Sequence, residues 1–210
     1  MHTDPRTIPQ FPGEVVLDFP SPIEPVSAVR STLLTSSLAS LRARGLFARY
    51  DLAQRSRHRD AILNCVAGEW LDINVAFAHY EACDAIGLSR EEQVGIGRDV
   101  SKRIHDTFLR LIVKVARGVG VTPWTLLAKS NTLRARLLNG GGIRVTRLGR
   151  TSARIEIAEI PLFRVPYFQN AVLGVYQAGV ELLASNVTGR LLKAEPSQPE
   201  RLTVMRIDWT

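Results

Sequence analysis

The chain is poor in the residues that usually announce chemistry. It has two cysteines, Cys65 and Cys83, and four histidines in 210 residues, too few cysteines for a disulfide framework. Both thiols fall in apolar helical sequence, where free buried cysteine in a reducing compartment is the simplest state. No apolar run approaches the roughly 18 residues a membrane-crossing helix needs. The start, "MHTDPRTIPQFPGE", lacks the charged-then-apolar order of a signal peptide, so a cytoplasmic protein is expected. Lysine occurs only at Lys102, Lys114, Lys129 and Lys193, so arginine carries most of the net charge of +7. An excess of that sign suits acidic partners such as nucleic acid, anionic lipid or acidic protein. The densest basic run, "RARGLFARYDLAQRSRHR" from Arg42 to Arg59, is diluted by Asp51 and apolar residues and reads as a solvated helix face.

What is present is an ordinary globular composition, 45% apolar and 22% charged, with clear punctuation. Six of eleven prolines lie in the first 25 residues. Each fixes its own φ and disfavours helix before it, so residues 1–27 read as an extended arm, in which "EVVLDF" adds at most one short strand. Residues 28–210 read as a single domain. Its helical part, 28–141, holds a segment up to Tyr50 broken at Gly45, another at about 57–67, and a helix from Asp72 to Ile86 with Asp72 as N-cap and Gly87 as stop. "SREE", Ser89 to Glu92, is a capping box that opens the longest helix, to about Arg117, with Val100, Ile104, Phe108, Leu111 and Val115 on its core face. Gly95 and Gly97 there, with Ala76, Ala78, Ala82 and Ala85 before them, suggest close helix contact. "GVTPWTLL" starts a further helix at Thr122 and Pro123, which ends at "NGGG", 139–142.

From there the period changes to alternation. Residues 143–157 read as a hairpin turning near Gly149, followed by a helix, Tyr167 to Ala184, with Phe168, Val172, Val175, Gly179 and Leu182 on one face. Two last strands flank "PSQPE". The fold class is therefore α+β: a helical half, then a four-stranded, mostly antiparallel sheet of two hairpins with an intervening helix over 142–210.

The stretch "WLDINVAFAHYEACDAIGLSREEQVGIGRDV", with "GVTPWTLL", "GGGIRVTRLG", "ARIEI" and "GVYQAGVELL", resembles an uncharacterised bacterial domain family. That family is distantly similar to the haem-nitric-oxide/oxygen-binding, four-vinyl-reductase type and TRAPP-type domains, and the resemblance covers residues 30 to 208. It implies a helical half on a twisted antiparallel sheet, a scaffold that serves ligand sensing and protein assembly alike. In the haem-binding relatives a histidine ligates iron and a Tyr-x-Ser-x-Arg motif holds the propionates. Here Tyr50, Tyr80, Tyr167 and Tyr176 all lack serine two residues on, so haem is disfavoured and no cofactor is expected.

Candidate residues are few. His79 and Cys83 lie four apart on one helix face, among Val75, Ala76, Ala82 and Ile86, and should point inward as core, with Glu81 and Asp84 away. Three or four ligands would be needed for zinc, and no metal site is expected. His105 lies beside the core face of the long helix. His79, Cys83 and His105 are thus the candidates for a pocket that takes an apolar ligand or cofactor. "NGGGIRV" and "VGIGRD" fail as phosphate loops, because the first precedes a strand and the second lies inside a helix. Arg144, Arg147, Arg154, Arg190 and Arg206 offer a basic sheet surface. No catalytic residue is assigned. The leading expectation is a non-enzymatic regulatory or protein-interaction domain that self-associates as a homodimer. The alternative is a small-molecule sensor with a pocket between helices and sheet, and the third is nucleic-acid binding through the basic surface.

Overall fold

The computed structural model describes residues 13–116, 121–192 and 201–210, and of residues 105–116 the helical backbone alone. The helical half comprises α1 (Ser31–Ala43), α2 (Phe47–Ala53), α3 (Arg59–Leu63), α4 (Ile73–Ala85), α5 (Arg90–Ala116), α6 (Pro123–Leu127) and α7 (Ser130–Leu137). Strand β1 (Glu14–Leu17) precedes them, and β2 (Ala28–Arg30) pairs with β3 (Trp70–Asp72) as a small ribbon. Then come β4 (Gly142–Gly149), β5 (Ser152–Ala158), α8 (Pro166–Glu181), β6 (Thr188–Leu192) and β7 (Leu202–Asp208).

The local signals act as their chemistry requires. Asp72 accepts from the Asn74 amide at 2.8 Å and caps α4, and Gly87 takes φ +64 just beyond its end. The Ser89 amide donates to Glu92 and the Glu92 amide to the Ser89 hydroxyl, so the box that opens α5 is closed in both directions. Gly45 separates α1 from α2, whereas the helix expected over 57–67 is only the five residues of α3. On α5, Val100 is buried and Ile104 half-buried. The positions of Phe108, Leu111 and Val115 on that face lie outside the described side chains.

The main sheet has five strands, in the order β1-β4-β5-β7-β6, all antiparallel. The expected four-strand sheet lacked β1, which pairs along β4 with Glu14 opposite Arg147. Residues 14–27 are thus built into the domain rather than forming a separate arm; residues 1–12 lie outside the described part. Val26 is buried and its amide donates to the Glu159 carbonyl. The "NGGG" stretch receives this segment. Asn139 Oδ1 accepts from the amides of Ser27 and Ala28, and a Cβ on Gly140 would lie 2.6 Å from the Glu24 carbonyl oxygen. These glycines do more than stop a helix, because they let another chain segment lie on the backbone.

Helix α8 joins the two halves. A Cβ on Gly97 of α5 would stand 1.9 Å from the Ala171 carbonyl oxygen, and one on Gly174 of α8 would stand 2.1 Å from that of Val94. The helix backbones therefore touch. Arg98 bonds Gln177 and Glu181, and the Ser101 hydroxyl donates to the Val175 carbonyl, which fixes the register of the crossing. Gly97 of α5 accordingly meets α8 and Gly95 the Arg44 side chain, not the alanines of α4 as the sequence suggested. On its other side α8 packs on the sheet, where Gly189 of β6 leaves room for Leu173 and Gln177. Among the described residues no helix is long and apolar enough to cross a membrane.

A methyl group at the crossing has nowhere to go, and overpacking costs about 1–3 kcal/mol or more where backbone must move. Gly97→Ala and Gly174→Ala should each lower the melting temperature sharply or prevent folding. Gly95→Ala meets only the end of the Arg44 side chain and should melt within a few degrees of the unaltered protein. Thermal denaturation followed by circular dichroism checks the contrast.

Candidate functional site

Two features stand out beneath this framework: a buried polar cluster in the helical half and a cavity between helices and sheet. The cluster forms around His79, which is wholly buried on α4. The Tyr50 hydroxyl lies 2.8 Å from Nδ1, the Ser37 hydroxyl 2.9 Å from Nε2, and the Cys83 sulfur 3.7 Å from Nε2. Gln54 Nε2 donates to the Tyr50 oxygen and to the Ala78 carbonyl. The Tyr50 proton is then directed at Nδ1, which leaves Nε2 as the protonated nitrogen facing Ser37. Both ring nitrogens are committed to protein. His79 and Cys83 face the interior as their phase on the helix predicts.

The electrostatics match a structural role. Burial lowers the His79 pKa to about 3, so the ring is neutral. Burial also pushes the Cys83 thiol far up, and that of Cys65, half-buried with its sulfur donating to the Ile62 carbonyl, in the same direction. Neither is primed as a nucleophile. The Tyr167 hydroxyl lies beside Cys83 and Ser37 without a hydrogen bond of full geometry. Among the described residues no group of three His, Cys, Asp or Glu side chains is placed to hold a metal ion. Glu81 is exposed, but Asp84 is half-buried and accepts from the Tyr167 amide at 2.8 Å, so it holds the first turn of α8. A carboxylate capping a helix some eighty residues away leaves no local signal in sequence.

The cavity, of about 150 Å³, lies between α7, α8 and strands β4 and β5. Phe168, Val172, Val175 and Gly179 form one wall. These are four of the five residues that define the expected α8 face; the fifth, Leu182, is half exposed. Leu133 and Leu137 of α7, Ile143 of β4 and Ile157 of β5 close the other sides. Among the described residues the polar side chains that line it are Ser130, Arg134 and Tyr176. Ser130 and Arg134 are one helical turn apart on α7, and Tyr176 reaches them from α8. Burial raises the Tyr176 pKa to about 12 against the opposing effect of Ser130 and Arg134. Arg134 donates through Nη1 to the Gly140 carbonyl and through Nε to Asn131 Oδ1 at 3.4 Å. Burial lowers its pKa, and no carboxylate stands within ion-pair distance among the described residues.

The expected pocket exists, but His79 and Cys83 do not line it. His105 follows the wall residue Ile104 in α5, and its side chain is outside the description. The expected basic surface is also corrected. Alternation puts Arg144, Arg154, Arg190 and Arg206 on the outer sheet face, whereas Arg147 turns to the helix side and stacks on Trp124. Arg154 stands opposite Arg206, and Arg206 opposite Arg190. Arg144 pairs with Asp18, Arg147 with Glu14, Arg154 with Glu156 and Arg206 with Asp208. Glu156 is 1% exposed, and burial raises its pKa against the pull of Arg154 and Arg144. Four of the five arginines thus have a carboxylate within 4 Å.

No protein-family model matches the chain, and no match appears among curated proteins. Solved structures do match. An iron(II) unliganded H-NOX protein from K. algicida aligns at a TM-score of 0.62, 11% identical over 86% of this chain and 96% of the other. A single-residue mutant of that protein aligns at 0.63 with the same identity and coverage. An oxygen-binding H-NOX domain related to soluble guanylate cyclases aligns at 0.57, 11% identical over 86% of this chain and 95% of the other. The chain thus has the H-NOX type of fold. Another neighbour at 11% identity is described by the modulation of its haem redox potential through porphyrin distortion. This likeness corrects the expectation that haem is disfavoured and no cofactor is needed. One missing contiguous motif is too little to set against a fold whose solved neighbours carry haem.

The sign of the pH dependence follows from His79. Its folded pKa, about 3, lies below the ordinary 6.5, so its contribution to stability is complete above about pH 6.5 and is lost as pH falls toward 3, by up to about 1.4 kcal/mol per unit. Melting temperature should therefore fall more steeply between pH 6.5 and 4 in the unaltered protein than in His79→Gln, which has no ring to titrate. Parallel slopes would contradict the buried neutral histidine.

Proposed function

We propose that the chain is a small-molecule-sensing domain whose ligand lodges in the apolar chamber between α7, α8 and the sheet. The observation that carries this reading is the chamber itself, apolar on every wall except for one corner of three polar side chains. A binding site of that composition orients an apolar ligand by few, convergent polar groups. The likeness to haem-carrying H-NOX domains supports the same reading over a purely protein-interaction role, since the chamber gives the fold something to hold.

Haem is the cofactor to test first. The chamber fits it in kind: the walls are apolar, a guanidinium stands at one corner for a carboxylate, and α5, which contributes Ile104, carries a histidine at the next position. His79 is spent on Tyr50 and Ser37, so His105 is the residue assigned to the iron. Haem would supply a site where a diatomic gas binds. The chain would supply the apolar pocket, with His105 to hold the iron and Arg134 to meet a carboxylate. A cavity of about 150 Å³ accepts a single aromatic ring as it stands, so uptake of a macrocycle widens the space between α7 and α8.

Titration of the purified protein with hemin tests this. The expected result is a raised melting temperature and an intense visible band, abolished or strongly shifted in His105→Ala and kept in His79→Gln, with both variants folded by circular dichroism. A protein that shows no band with hemin, and no thermal shift with hemin or with benzene, would contradict the sensing role altogether.

A further inference from the structure

We infer that residues 18–28 are a latch on α7, the movable wall of the chamber, so that entry of a ligand larger than a single ring frees this segment. Such gating rests on the chamber reading above and adds how that site is regulated.

The walls differ in how firmly they are held. Helix α8 is set by its glycine contacts with α5 and β6, and β4 and β5 are bound by the sheet ladder. Helix α7 has eight residues, of which Ser130 alone is buried, yet it carries Leu133 and Leu137 of the lining. It is the wall free to move, and the segment before α1 ties it down at both ends. At its start, Asn131 Nδ2 donates to the Asp18 carbonyl at 3.0 Å and to that of Ile143 in β4 at 2.8 Å. Just beyond its end, Asn139 Oδ1 accepts from the amides of Ser27 and Ala28 at 3.0 and 2.8 Å, and Asn139 Nδ2 donates to the Ser27 hydroxyl at 2.9 Å. The Gly141 amide donates to the Glu24 carbonyl at 2.7 Å. Between these anchors Pro20, Pro22 and Pro25 disfavour helix, so the span stays extended. The Asp18 carboxylate pairs with Arg144 of β4 at 2.8 Å, and Phe19 stacks on the same guanidinium.

These ties are polar. Among residues 18–28 only Val26 is buried, so little apolar surface is lost when the segment lifts, and each hydrogen bond exchanged for water counts for roughly two- to tenfold in equilibrium. A cavity of about 150 Å³ admits one ring with α7 in place. A larger apolar molecule displaces α7, and that movement breaks the Asn131 and Asn139 bonds to the latch. The coupling is reciprocal: a loosened latch raises affinity for the large ligand, and the large ligand frees the latch. The latch precedes residue 30, where the family resemblance begins, and is this chain's own device.

Binding of N-phenyl-1-naphthylamine, a neutral fluorophore of three rings, tests this with benzene as the single-ring control. The proteins are the unaltered chain, Asn139→Ala, and the double variant Asp18→Ala with Phe19→Ala, which loosens the latch without touching α7. Both variants should bind the naphthylamine about tenfold more tightly and benzene with unchanged affinity, which also shows that they are folded. In the unaltered protein the naphthylamine, and not benzene, should speed hydrogen exchange at the Ser27 and Ala28 amides. Three results would overturn the latch while leaving the chamber: naphthylamine affinity that stays equal or falls in the variants, latch amides whose exchange it leaves unchanged, or binding of benzene alone. Failure of both compounds to bind any of the proteins would overturn the chamber reading and the latch with it.

Discussion

The contact on which the rest of the structure depends is the crossing of α5 and α8 at Gly97 and Gly174. Backbone carbonyls of each helix occupy the space that a side chain of the other would need. No larger residue permits that approach, and no hydrophobic layer intervenes. The crossing fixes how far α8 stands from the helical half, and Gly189 fixes how far it stands from the sheet. The chamber lies beside this crossing, between the adjacent face of α8, Phe168 through Gly179, and α7, β4 and β5, with Ile104 of α5 also in its lining.

The helical half and the chamber use polar groups in opposite ways. Around His79 a continuous chain of hydrogen bonds runs inside the protein, from Gln54 through Tyr50 to the ring and on to Ser37. A network of that kind specifies one packing and leaves nothing for a ligand. At the chamber, Arg134 is held by two bonds and keeps donors to spare.

Much of this was legible in the sequence wherever the signal is local. Asp72, Gly87, Ser89 with Glu92, and Pro123 mark helix ends, and the spacing of Phe168, Val172, Val175 and Gly179 marks the face that lines the chamber. The inward phase of His79 and Cys83 follows from 3.6 residues per turn alone. What the sequence hides is pairing at a distance. Gly97 announces a close approach without naming α8 as the partner, since alanines on α4 make an equally good candidate on composition. Strand β1 is four residues of modest alternation, and only its register on β4 makes it a fifth strand. Ser130 and Arg134 share a face with an i,i+4 spacing that is visible in "SNTLR", but Tyr176 lines the same cavity from a helix far along the chain, and that meeting leaves no local signal.

Methyl-resolved NMR in benzene-saturated buffer tests the chamber as a ligand site most directly, because it needs no assumption about cofactor or charge. A preformed dry cavity of this size takes up one such ring. Shifts should concentrate at the methyls of Leu133, Leu137, Ile143, Ile157, Val172 and Val175, with those of Leu34 and Leu41 in the helical core unchanged. Shifts scattered over the surface, or none at the chamber, would contradict a preformed ligand site.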